Sequence, residues 1–155
     1  MIAQYEEESR DPLLNAPRMY GLSQNHKHLK EMRIISGLEH DPVFCPIVAP
    51  YYAGMEVTVS LTPEDTSASV EEIQNVYRDV YGSGLIRFAE KPDENGFLSA
   101  AAFAGKDVME ISVYGNAERI LLVSRFDNLG KGASGAAIQN MNLVLGLDEA
   151  TGLVV

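Results

Sequence analysis

Residues 118–146 read ERILLVSRFDNLGKGASGAAIQNMNLVLG. Ile120, Leu121, Leu122 and Val123 form the unbroken apolar run of a central strand. Gly130, Gly132 and Gly135 follow with the spacing G-x-G-x-x-G, and a helix is expected from about Ala133 to Leu145, stopped by Gly146. Strand, glycine turn and helix form the layout in which backbone N–H groups at a helix start face an anion. The competing reading is a turn that lets a helix pack close to a sheet, which the small residues Ala133, Ser134, Ala136 and Ala137 suit. A self-contained dinucleotide site needs a βαβ unit of about 30 residues and an acidic residue about 20 positions onward. Asp148 and Glu149 come too early, and no second strand fits before Val155. The turn therefore reads as structural, or as part of a site held mainly by another domain.

Working outward, Asp107–Tyr114 and Glu118–Phe126 read as a hairpin joined through Gly115-Asn116-Ala117. Met55–Leu61 alternates, with Met55, Val57, Val59 and Leu61 expected inward. Ser69–Tyr81 is an amphipathic helix opened by the capping-box pair Ser69 and Glu72. Leu85–Ala89 is a short strand, and Val43–Ile47 (VFCPI) reads as a strand near a sheet edge. A further helix is expected from near Leu29 to Gly37, after an acidic, loose or partly helical lead-in. The pattern predicts an α+β domain: a mostly antiparallel or mixed sheet with helices packed on one face. The expected boundaries are a lead-in over 1–18 and one domain over 19–155.

With 22 acidic and 12 basic residues, the chain carries a formal charge of −10, which disfavours binding to a nucleic-acid backbone. No apolar run approaches a membrane span, and the acidic start is unlike a signal peptide. A lone cysteine, Cys45, excludes an internal disulfide and agrees with a cytoplasmic setting.

His26 and His28 are the first candidates for chemistry, with one of them as a general acid/base and Lys27 and Lys30 attracting an anionic substrate. Their bland alternative is a pair of surface histidines. No spacing ties them to His40 as the ligands a metal needs, so no metal site is expected. Cys45 lies in an apolar run, where cysteine behaves as a small hydrophobe rather than a nucleophile.

The segments YGLSQNHKHLKEM and VFCPIVAPYYAGM, and above all SRFDNLGKGASGAAIQNMNLVLG, resemble the N-acetyl-gamma-glutamyl-phosphate reductase family from about Tyr20 to Leu153. Aspartate-semialdehyde dehydrogenases carry a similar, less exact version of the last motif. The resemblance implies the C-terminal substrate-binding and dimerisation domain of such a reductase, built as in glyceraldehyde-3-phosphate-dehydrogenase-like enzymes. It implies reduction of an acyl phosphate to an aldehyde with NADPH in arginine biosynthesis, and a homodimer. It assigns acid/base work to His28, with His26 supporting it or binding substrate, places Asn128 near the nicotinamide, and puts Lys131 and the backbone around Gly132 at the border of the cofactor or phosphate. The family's G-C-[FY]-x-T nucleophile motif and its dinucleotide-binding domain are expected to lie outside this chain. Where many members carry R-G-[IM], this chain has Ala53-Gly54-Met55. The different class of function to weigh against the enzyme is a non-catalytic dimerisation or interaction module.

Overall fold

The computed structural model describes residues 2–155; Met1, the first residue of the expected lead-in, lies outside them. The chain forms two compact units, residues 1–51 and residues 52–155.

In the first unit, a short helix α1 (Ile2–Glu6) and a 3₁₀ turn (Pro12–Asn15) precede a two-residue strand β1 (Arg18–Met19). Arg10 donates to the Tyr5 carbonyl and to Asn15, and Leu14 is buried. β1 pairs antiparallel with β2 (Ile47–Val48), in the register Arg18↔Val48 and Met19↔Ile47. The expected Val43–Ile47 strand is thus corrected to Ile47–Val48. Pro46 has no N–H to give to a ladder, and Val43 is 86% exposed. The helix α2 (Lys27–Ser36) lies between the strands and ends at Gly37, whose φ of 70° closes the last turn.

The second unit is a four-stranded sheet in the order β3 (Met55–Leu61), β6 (Ile120–Phe126), β5 (Met109–Gly115), β4 (Ile86–Phe88). Every pair is antiparallel except β4–β5, so the sheet is mixed. The registers Val59↔Leu122 and Val113↔Leu122 put Met55, Val57, Val59, Leu122, Val113 and Ile111 on one apolar face. The helix α3 (Val70–Val80) covers part of this face. Tyr77 meets Phe88 at 6.5 Å, and Gln74 donates to the Val113 carbonyl at 3.1 Å. Its first turn is fixed by the full capping box between Ser69 and Glu72. Toward β3 the same face lies open: Met55, Val57 and Val59 are 38%, 43% and 50% exposed. Their alternation matches the expected strand, but the inward burial does not occur within this chain.

The parallel β4–β5 pair forces a crossover. Residues 89–108 make it without a helix, running over the second face of the sheet. Arg125, on that face of β6, is 3% exposed and anchors the crossover. It donates to Glu110 at 2.7 and 3.0 Å, to Glu94 at 2.8 Å, and to the carbonyls of Ser99 and Pro92 at 3.3 and 3.1 Å. Its guanidinium also lies 5.8 Å from the Phe103 ring. After β6 the chain makes one π-helical turn (Gly130–Ser134) and enters α4 (Gly135–Val144).

Candidate functional site

In the first unit, His26 is the N-cap of α2. Its backbone is extended (φ −84°, ψ 139°), and its Nδ1 accepts the His28 N–H at 3.3 Å. His28 therefore sits inside the first helical turn and is exposed. The two rings are 4.7 Å apart, and the His26 ring also meets Phe44 at 5.2 Å and Tyr20 at 6.0 Å. The pair expected from sequence is thus one cluster with unequal members: His26 meets three rings and is committed through Nδ1, while His28 is exposed and touches the His26 ring.

Cys45 is exposed, not embedded in an apolar strand as expected, because Val43–Pro46 forms no ladder. Among the described residues, no three His, Cys, Asp or Glu side chains converge to hold a metal ion.

In the second unit, Asp127 organises the glycine turn. Its carboxylate accepts from Leu129 N–H (2.7 Å), Gly130 N–H (3.2 Å) and Gly105 N–H (2.6 Å). Burial pushes the Asp127 carboxyl up, but these three backbone donors outweigh it and hold it below its ordinary range. The remaining turn bonds are internal. Gly132 N–H donates to the Asp127 carbonyl, and Ser134 N–H to the Leu129 carbonyl. The N–H groups of Leu129, Gly130, Gly132 and Ser134 are thus taken, and the Asp127 carboxylate lies against the turn, which disfavours an anion there.

Gly130 and Gly135 are packing positions. A Cβ on Gly130 would stand 2.8 Å from the Lys106 carbonyl, and one on Gly135 would stand 2.9 Å from Asp107 Cγ. Asp107 in turn ties down the end of the chain: it donates to the Val154 carbonyl at 2.7 Å and accepts the Val154 N–H at 2.9 Å.

Asn128 projects from the same turn. Its Oδ1 accepts the Gly54 N–H at 2.9 Å, which leaves its Nδ2 as its remaining donor. Gly54 has a φ of 119°, and a Cβ there would stand 2.8 Å from Ala101 Cα, so no side chain fits. Lys131 is buried; its ammonium donates to Gln139, which donates onward to Glu149 at 2.9 Å. Gly132 is exposed. Three features lie beyond what sequence periodicity carries: the Asp127 hub, the Gly54–Asn128 bond and the Lys131–Gln139–Glu149 relay. For Asp127 a local signal existed, since Asp-x-x-Gly is an Asx-turn pattern; the others depend on long-range packing.

Comparison with known proteins agrees with this architecture. Residues 4–128 match the family model described as semialdehyde dehydrogenase, dimerisation domain. The chain is 41% identical to N-acetyl-gamma-glutamyl-phosphate reductase 2 of Nostoc sp. over 145 residues, 87% of this chain and 45% of that protein. It is also 41% identical to the N-acetyl-gamma-glutamyl-phosphate reductase of Rhizobium meliloti over 153 residues, 94% of this chain and 49% of that protein. It thus spans about half the length of the curated relatives it matches. In fold it is similar to the crystal structure of aspartate semialdehyde dehydrogenase II from Vibrio cholerae, with a TM-score of 0.56 at 18% identity, covering 77% of this chain and 37% of that one. The matched model takes in both the histidine cluster and the sheet, and the chain belongs to the family of semialdehyde dehydrogenase dimerisation domains.

Proposed function

We propose that this chain is the substrate-binding and dimerisation part of an NADPH-dependent, cytoplasmic reductase of arginine biosynthesis. The reaction converts N-acetyl-glutamyl 5-phosphate to N-acetyl-glutamate 5-semialdehyde and phosphate. The reading rests on identity of about 40% to reductases of that name over most of the chain and on the seated histidine pair. His28, an exposed residue, is the acid/base group, exchanging a proton with the reacting carbonyl oxygen or the leaving thiol. His26 holds the helix start that carries it.

Asn128 suits the nicotinamide end of the cofactor: with Oδ1 taken by Gly54, its Nδ2 offers a donor to a neutral carboxamide. When bound, NADPH supplies the hydride. With the Leu129 and Gly130 N–H groups held by the Asp127 carboxylate, the glycine turn does not suit a pyrophosphate, so a dinucleotide-binding domain outside this chain carries that part. Gly132, and Lys131 through the Gln139 relay, border the nicotinamide pocket. The nucleophilic thiol also comes from outside residues 1–155, because Cys45 lies in no G-C-[FY]-x-T motif.

The test is His28→Ala in the complete reductase, where loss of an acid/base group lowers turnover by about 10²–10⁴-fold. Unchanged turnover refutes the assignment. The 155-residue chain alone is expected to show no phosphate-dependent NADP reduction with the semialdehyde. A second reading, a dimerisation module without catalysis, draws on the open apolar face of β3 and predicts that His28 is dispensable. In both readings two copies of the chain cover that face.

A further inference from the structure

The segment leading into the histidine pair contains a strained residue that the proposed mechanism does not use. Gln24 has a φ of 51°. A non-glycine residue pays for that left-handed conformation and keeps it only where the surroundings impose it. Here the imposing contacts are visible. The Gln24 carboxamide makes a paired hydrogen bond with the backbone of Phe44: its Nε2 donates to the Phe44 carbonyl at 2.7 Å, and its Oε1 accepts the Phe44 N–H at 2.9 Å. It also reaches the Gly21 carbonyl at 3.3 Å, and the Gln24 N–H closes a turn on the same carbonyl at 2.9 Å.

This pairing extends a ladder that the main chain cannot continue. Arg18 and Met19 pair with Val48 and Ile47, and the Tyr20 N–H donates to the Pro46 carbonyl at 3.0 Å. Pro46 offers no donor in return. The chain then turns at Gly21 and leaves the register. The Gln24 side chain substitutes for the missing rung and fixes Phe44 by both of its backbone polar groups. Phe44 is the residue whose ring lies 5.2 Å from His26.

We propose that Gln24 is a positioning residue for the histidine pair. By pinning Phe44, it holds the His26 ring with Nδ1 on the His28 N–H, so that neutral His26 carries its proton on Nε2 and the first turn of α2, with His28, is set in place. The functional weight of this device rests on the acid/base role proposed for His28; the device itself does not.

The experiment uses the 155-residue chain labelled with ¹⁵N in its imidazoles, with long-range ¹H–¹⁵N correlation spectra taken at about pH 8.5, two units above the ordinary imidazole value. In the wild type, His26 is expected to show an unprotonated Nδ1 and a protonated Nε2, and His28 the averaged shifts of a free ring. In Gln24→Ala, His26 should move to averaged shifts while amide peaks from residues 52–155 stay in place. Gln24→Gly removes the carboxamide yet accepts the positive φ without strain, and it should lose the His26 tautomer as Gln24→Ala does. It also serves as the decisive variant if Gln24→Ala fails to fold. Averaged His26 shifts in the wild type, or a retained single tautomer in Gln24→Gly, overturn the proposal. A tautomer lock that holds in the chain, with His28→Ala silent in the complete reductase, refutes the catalytic reading and leaves the positioning intact.

Discussion

Arg125→Met tests whether the crossover is held by a buried charge cluster. Arg125 and Glu110 are both sequestered, with side chains 3% and 13% exposed, whereas Glu94 is 50% exposed. Removing one member of a buried pair costs about 3–5 kcal/mol, because the other charge is left without compensation. Glu110 retains some access to water, which places the expectation near the lower end. Methionine conserves much of the buried volume, so the loss reports the charge and hydrogen bonds rather than a cavity. A protein of this size loses about 2–4 °C of Tm per kcal/mol, so a fall of roughly 10 °C is expected. Urea unfolding followed by circular dichroism measures the free energy. Hydrogen exchange of residues 89–108 asks whether the crossover detaches. Glu110→Gln should be clearly destabilising and Glu94→Gln nearly silent, since an exposed partner is screened by solvent. Arg125→Met within about 1 kcal/mol of wild type, or Glu94→Gln as costly as Glu110→Gln, would refute the reasoning.

Gly135→Ala should destabilise by about 1–3 kcal/mol, because its Cβ meets Asp107 and the Gly130 carbonyl. Gly132→Ala should cost less, since its nearest neighbour is the movable Phe126 ring at 3.0 Å; equal midpoints in urea would contradict this. Asp127, depressed in the folded state, contributes stability that is present above about pH 4 and lost as pH falls through its lowered folded value. Asp127→Asn should therefore flatten the acid limb of a stability profile between about pH 5 and 2, and an unchanged slope would remove Asp127 as its source. Val59→Asp, on the open apolar face, should yield monomers in sedimentation equilibrium at tens of micromolar with an unaltered circular dichroism spectrum. A monomeric wild type, or a dimeric variant, rejects that face as the contact.

Local signals in the sequence fix local structure. Ser69 and Glu72 form the capping box, Gly37 ends α2, and the alternation of Met55–Leu61 gives β3. The histidine cluster and the glycine turn were visible as patterns, but their wiring was not. Asn128 is oriented by Gly54, 74 positions away, and His26 by Phe44, neither of which leaves a periodic trace. VFCPI reads as a strand by composition, and Pro46 breaks the ladder that composition suggests. Val57 and Val59 share an apolar face, as their alternation predicts, but that face is not buried, because alternation identifies an apolar side without identifying what covers it.

The strand order also sets a sequence of assembly. β5 and β6 are joined by a four-residue link, 116–119, whereas β3 pairs only with β6, across an intervening stretch from Thr62 to Arg119. Closing so long a loop costs more entropy than closing the hairpin, so the hairpin offers the template before β3 arrives. Until then β6 is an unpaired apolar edge, open to any extended chain nearby. The strand that bears the open valines thus joins the hairpin late and guards its apolar edge.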